Sequence, residues 1–206
     1  MDKIISVLIV DDHPLVLSGF EFILKNRSSI SLRGSFTRAQ EAVDFLKNNA
    51  IDVILMDINM PDINGIDATE LIKKQYPQTK IIAISNLNEG SIAMRMLHAG
   101  ASGYLLKNVS AEELIDGIQR VMDDEQVLSR EMSFVLKNNS DSVPNVTQRE
   151  REVLAMMAQG HTTAKIADMM FISPLTVETH RRNLLQKFAV SNSASLIHKA
   201  TEMKFI

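Results

Sequence analysis

Up to Met122 the chain alternates between two apolar periods, one of strands and one of helices. Ile4 to Val10 is an apolar run broken by Ser6 and closed by Asp11-Asp12. Pro14 suits the first turn of the helix that follows, for which Leu15, Phe20, Ile23 and Leu24 form the predicted apolar face. Ile30 to Phe36 reads as a weaker strand, and Ala39 to Leu46 has helical spacing through Ala42, Val43 and Leu46. Val53-Ile54-Leu55-Met56-Asp57 is apolar on both faces, as in a parallel sheet, until the carboxylate ends it. Pro61, Asn64 and Gly65 then force a loop, and a helix carries Ile66, Leu71 and Ile72. Lys80 to Ser85 is another buried strand. A helix from about Gly90 carries Ile92, Met96 and Leu97 and stops at Gly100. Gly103 to Lys107 is a last short strand, and Ser110 with Glu113 opens a helix to Met122 at capping-box spacing. Strand and helix alternate five times, which predicts an α/β, doubly wound parallel sheet of five strands over residues 1–123.

The pattern then changes. Residues 124–143 are polar and read as a linker, with Leu128 to Leu136 as a short helix within it. Residues 144–206 are helical throughout. Thr147 and Glu150 form a capping box before Val153, Leu154 and Met157, and Gly160 ends that helix. Thr162 to Met169 is a short second helix. Phe171-Ile172-Ser173-Pro174 is a turn, and Ser173 caps a third helix through Val177, Leu184 and Leu185 to about Phe188. A fourth runs from roughly Ala194 to Met203. Short helix, tight turn, longer helix is the order of a helix-turn-helix, here in a small all-α domain. Met156, Met157, Met169 and Met170 are expected as core filler.

Composition adds exclusions. The 206 residues are 45% hydrophobic and 23% charged, as in a soluble globular chain. No apolar run approaches a membrane span, and Met1-Asp2-Lys3 does not open a signal peptide. With no cysteine there is no thiolate or disulfide chemistry, so a cytoplasmic location is the default. The net charge of −3 is unevenly spread. From Pro144 onward eight Lys/Arg face five Asp/Glu, giving +3; the remainder holds 14 against 20, giving −6. An acidic front and a basic back suit different partners.

Right-handed crossovers place all the strand ends on one edge, where ligands bind in open α/β sheets. Asp11, Asp12, Asp57, Ser85 and Lys107 all stand at such ends. Three carboxylates repel one another unless a cation joins them, and a hard divalent ion with oxygen ligands, Mg²⁺, fits best. Asp11 or Asp12, with Asp57, would ligate it. Asp57, alone on its strand, is the better candidate for a carboxylate nucleophile. Lys107 would stabilise a transferring phosphoryl group and Ser85 would hydrogen-bond its oxygen. His13 reads as a loop histidine in preference to a phosphoryl relay.

These residues, with Asn59-Met60-Pro61, Gly65 and Tyr104, resemble the receiver domain of bacterial two-component response regulators over about the first 125 residues. The resemblance implies a flavodoxin-like fold and a phosphoryl group passed to Asp57 by a histidine kinase. It also implies a backbone carbonyl of Asn59 on Mg²⁺, and Ser85 and Tyr104 as a switch pair. Asn108 stands where many receivers have proline. A Mg²⁺-dependent phosphatase or phosphotransferase would need a general acid two residues beyond the nucleophile, and Asn59 cannot serve.

Thr147 to Leu154, Gly160, Ile166-Ala167, Ile172-Ser173, Thr176-Val177, His180 and Lys187 resemble the LuxR-type helix-turn-helix, so the whole chain looks like a NarL/FixJ-type response regulator. The helix from Pro174 would then enter the major groove of double-stranded DNA. Thr176 belongs to that motif, Glu178, Thr179 and Arg182 stand where the family touches bases, and Arg181 and Lys187 are candidate phosphate contacts. Glu178, often a lysine, would accept from cytosine or pair with Arg182 at the next turn. Thr163 and Ser193 depart from more usual residues. A charge of +3 is weak for one DNA-binding module, so a homodimer formed on phosphorylation is expected, with RNA polymerase a candidate partner.

Overall fold

The computed structural model describes residues 4–25, 27–86, 90–138 and 143–206. Two compact units result, Met1–Ser140 and Asp141–Ile206. The reading of Met1-Asp2-Lys3 and of the 139–142 part of the linker lies outside the described residues.

In the first unit the strands are β1 (Ile5–Val10), β2 (Ile30–Phe36), β3 (Val53–Asp57), β4 (Lys80–Ser85), β5 (Gly103–Leu106) and β6 (Val127–Leu128). All pair in parallel, in the order β2-β1-β3-β4-β5-β6. The sheet is therefore six-stranded, not five-stranded. β6 is two residues long, too short to show a period, and it follows four polar residues, so no pattern marks it. Gly103 lets it dock: a Cβ there would lie 2.8 Å from the Val127 carbonyl oxygen, closer than side chains tolerate.

Period-2 alternation sorts the sheet residues onto two faces. Val7, Ile9, Val53, Leu55, Ile82, Ile84 and Leu105 pack under α1 (Pro14–Lys25) and α5 (Ala111–Met122). Leu8, Val10, Ile54, Met56 and Ile81 face α2 (Ala39–Leu46) and α3 (Gly65–Gln75), while Ala83, Tyr104 and Leu106 face α4 (Gly90–His98). Leu17, Phe20 and Leu24 form the buried face of α1, each contributing about 1.5–3 kcal/mol by leaving water. Leu15, expected on that face, is 86% exposed, because its direction along the helix lies away from the Leu17–Phe20–Leu24 row.

The segment expected as a linker is structured at its front. Ser129 N donates to Tyr104 O at 3.1 Å, continuing β6, and Met132 N donates to Ser129 Oγ at 3.3 Å at the start of α6 (Arg130–Asn138). Met132 is fully buried, with Val135 and Leu136 against the α4 cluster. These apolar positions in a polar context are what the short-helix reading of Leu128 to Leu136 rests on. The cluster they join belongs to the sheet domain.

The second unit is α7 (Gln148–Ala158), α8 (Thr163–Met170), α9 (Pro174–Lys187) and α10 (Ser193–Glu202). Thr147, Thr162, Ser173 and Asn192 cap the four N-termini. The core is Val153, Leu154, Met157, Ile166, Val177, Leu184, Phe188 and Leu196, with Phe188 edge-on to Phe205 at 5.2 Å. Met169 is 41% exposed and does not fill the core as expected; Met170 does. Phe171, in the left-handed region at φ 55°, ends α8 and makes the tight turn into α9. Among the described residues no helix is long and apolar enough to cross a membrane.

Candidate functional site

Strand register builds the first unit's site. Val10 pairs with Met56, so Asp11 follows beside Asp57, where the order reverses between β1 and β3. Asp57 pairs with Ile84, which places Ser85 one step beyond, and Lys107 N donates to Ser85 O at 2.8 Å. The loop after β3 is folded back tightly. Gly65 N donates to Ile58 O at 2.9 Å, and Asn64 Oδ1 accepts from the amides of Ile66 and Asp67 to start α3. A Cβ on Gly65 would sit 2.0 Å from the Asp57 carbonyl oxygen. Gly65→Ala must therefore displace the backbone that carries Asp57. We expect it to cost about 3 kcal/mol or more in urea unfolding, as severe overpacking does. A loss under ~0.5 kcal/mol would show that the loop yields freely.

The side chains converge as the sequence implies. Lys107 Nζ lies 2.6 Å from Asp11 Oδ2 and 3.0 Å from Asp57 Oδ1, all three groups being nearly out of water. Ligand atoms of Asp11, Asp12, His13 and Asp57 lie within 4.8 Å of one another. His13 is a loop residue, its side chain 62% exposed and its Nδ1 2.7 Å from Asp12 Oδ1. Burial, and then the charge of Asp11, push the Asp57 carboxyl above its ordinary value, against the pull of Lys107. For Lys107 burial acts against the ammonium, but the hydrogen bonds and charges of Asp11 and Asp57 prevail and raise it. Asp57 Oδ2 is buried with no hydrogen-bond partner among the described residues. An orphan carboxylate oxygen within an all-oxygen acidic cluster fits a hard divalent cation. Asn59 lies exposed in the loop two residues beyond Asp57. Ser85 and Tyr104 are both wholly buried. Tyr104 packs in one cluster with Met132 of α6, and Leu128 of β6 lies against it.

The second unit separates the residues expected on DNA. Thr176, Thr179 and Arg182 are exposed on α9. Thr176 Oγ1 is 2.9 Å from Ser173 Oγ in the N-cap. Glu178 does not meet Arg182; its Oε1 accepts from Thr163 Oγ1 at 2.5 Å and Arg181 Nη1 at 3.1 Å. Arg181 also donates to Thr163 Oγ1, and at 3.1 Å to Ser193 Oγ. Thr163 and Ser193, read from sequence only as departures, are thus the hydroxyls that tie α9 to α8 and α10. Lys187 Nζ donates to Glu150 Oε2 at 2.6 Å, joining α9 to the α7 capping box. Sequence reasoning missed this bond because the two residues are 37 positions apart.

The comparisons with known proteins agree with this geometry. Residues 7–119 match the response regulator receiver domain, and residues 144–200 match the bacterial regulatory proteins of the luxR family. The transcriptional regulatory protein MctR of Rhizobium johnstonii is 33% identical over 96% of this chain and 94% of its own. The response regulator protein VraR of Staphylococcus aureus is 32% identical over 98% of this chain and 99% of its own. Among solved structures, the RcsB response regulator of Salmonella typhimurium aligns over 98% of this chain and 99% of its own, with a TM-score of 0.64 and 24% identity, a likeness of fold. A receiver domain followed by a DNA-binding domain defines a two-component response regulator that regulates transcription. This chain belongs to the LuxR/NarL-type members of that family.

Proposed function

We propose that a histidine kinase phosphorylates Asp57 and that the phosphoryl group controls sequence-specific DNA binding by the second unit. The observation that carries this reading is the buried, unpartnered Asp57 Oδ2 beside the Lys107 ammonium. An Asp57 oxygen attacks phosphorus, the phosphorus–nitrogen bond of the phosphohistidine breaks, and the imidazole leaves with its electron pair and takes a proton. Lys107 faces the new charge, and the Ser85 hydroxyl donates to a phosphoryl oxygen. Mg²⁺, held by Asp11, Asp12, Asp57 and the Asn59 carbonyl, would supply further positive charge there when bound. The same groups would let the domain catalyse its own phosphorylation from a small phosphodonor and its own dephosphorylation.

The division of labour we assign is receiver over 1–123 and DNA-binding domain over 144–206. On α9, Thr179 and Arg182 reach bases, with Thr176 and Glu178 beside them. Arg181 and Lys187 hold α9 to its neighbours and bring positive charge near the backbone. Ser85 and Tyr104 act as the switch, a hydrogen bond biasing a packed two-state element. The phosphorylated form is a homodimer, since one module of charge +3 binds weakly, and it works in the cytoplasm with RNA polymerase at the promoter.

The test is selection of bound sequences from random duplex DNA, with and without beryllofluoride. A two-fold site bound ten- to a hundredfold more tightly with beryllofluoride is expected, as a typical coupling free energy allows. Ser85→Ala should bind the site but gain less. Equal gains would remove Ser85 from the switch. No gain for the wild type would mean that phosphorylation controls something other than DNA affinity.

A further inference from the structure

The solvent face of α9 is not uniformly polar. Leu175, in its first turn, is 75% exposed. The core takes Val177 and Leu184 from another face of the helix, and Ser173 supplies the cap, so neither packing nor capping accounts for a leucine at 175. Thr179 and Arg182 follow at the i+4 and i+7 spacings that share its face. The hydroxyl of Thr179 donates to Leu175 O at 2.9 Å, so its methyl is the group left facing outward beside Leu175. The neighbouring polar groups are turned elsewhere. The Thr176 hydroxyl is in the N-cap with Ser173, and the Glu178 carboxylate is drawn sideways to Thr163 and Arg181. The leading end of the helix therefore presents two apolar groups and then a guanidinium.

A recognition helix meets base edges with its N-terminal residues. The apolar group that the major groove offers is the C5-methyl of thymine, and the natural partner of an exposed guanidinium is guanine. We propose that Leu175, with the methyl of Thr179, reads a thymine C5-methyl in each half-site, beside a guanine read by Arg182. The proposal rests on the DNA-binding reading above, and extends its contact set to a residue that no polar pattern marks.

The experiment uses the full chain with beryllofluoride. The probe is the duplex it selects from random sequence, remade with deoxyuridine at one thymine at a time, so that only the methyl is lost. Wild type should lose about fourfold in affinity at one thymine per half-site, the effect of one buried methyl-sized group. Leu175→Ala and Thr179→Ser, both exposed changes, should bind the thymine duplex more weakly and show a smaller loss, or none, at that position. The inference is overturned if the selected site has no thymine whose methyl matters, or if both variants remain as methyl-sensitive as wild type. Should wild type select no sequence at all, the DNA-binding reading falls, and this inference with it.

Discussion

Asp57→Asn is expected to take up no phosphoryl group from acetyl phosphate, whereas the wild type is labelled at that one residue with Mg²⁺ and takes up little or no label when EDTA is present from the start. Mass spectrometry of the intact chain and its peptides measures both. The amide fills the same space, but its nitrogen lone pair is delocalised and its oxygen carries no full charge, so the nucleophile is gone. The neighbouring carboxylates do not substitute for it. Asp11 lies 2.6 Å from Lys107 and accepts from His13 N at 2.9 Å, and Asp12 lies beside His13. We expect a drop of at least about a hundredfold, in line with loss of an attacking group. Asp57→Asn also removes a buried carboxylate, with its desolvation cost and its repulsion of Asp11, so it should leave the fold intact. Undiminished labelling of the variant, or labelling of the wild type undiminished when EDTA is present, would place the chemistry elsewhere.

The crevice was legible because its residues stand at strand ends, and a parallel sheet brings strand ends together whatever the loops do. Asp11, Asp57, Ser85 and Lys107 needed only correct strands and right-handed crossovers. The period also located most buried positions, among them Val43, Ile72, Ile92 and Val153. It failed where an element was too short or its surroundings too polar. β6 has two residues and no period; α6 is expected as a short helix over Leu128 to Leu136, but its polar surroundings hide that Met132 enters the core. Leu15 shows the converse error, an apolar residue on a helix that exceeds what the sheet can cover. The helix-turn-helix was legible from caps and turn residues, but not the pairing on its surface. Glu178 has Arg181 and Arg182 within reach on one helix, and Thr163 on the next decides between them. Such choices are made by tertiary neighbours far away in sequence, so a single chain of letters leaves them open.

The Glu150–Lys187 bond is another of these unforeseen pairings, and its removal is the second test with a large expected effect. Glu150 is 3% exposed, and its Oε2 accepts from Thr147 N at 2.8 Å, Thr147 Oγ1 at 2.9 Å and Lys187 Nζ at 2.6 Å. Glu150→Ala deletes one arm of the α7 capping box and takes its partner from the Lys187 ammonium, which is exposed on α9. A lost cap costs about 1 kcal/mol and the loss of an ion pair to an exposed lysine adds up to about 1 kcal/mol, so we expect about 1–2 kcal/mol. Amide hydrogen exchange of the full chain should show that loss in α7 and α9 and leave β3 and β4 protected as before. Burial opposes the Glu150 carboxylate, but Lys187 and both Thr147 donors outweigh it and hold the group below its ordinary value of 4.5. A depressed folded value adds stability that is fully present above 4.5 and is lost as pH falls from there through the folded value. Wild type should therefore lose protection in α7 and α9 on acidification through that window. Glu150→Gln, which keeps an acceptor oxygen but cannot titrate, should lose less there while being less stable at pH 7. Lys187→Ala separates structure from contact. If the ammonium serves this bond, the variant loosens α7 and α9 with no DNA present, and the double variant with Glu150→Ala loses less than the two losses added together. If Lys187→Ala leaves exchange untouched and weakens only DNA binding, the lysine is a backbone contact and the bond to Glu150 contributes nothing to the fold.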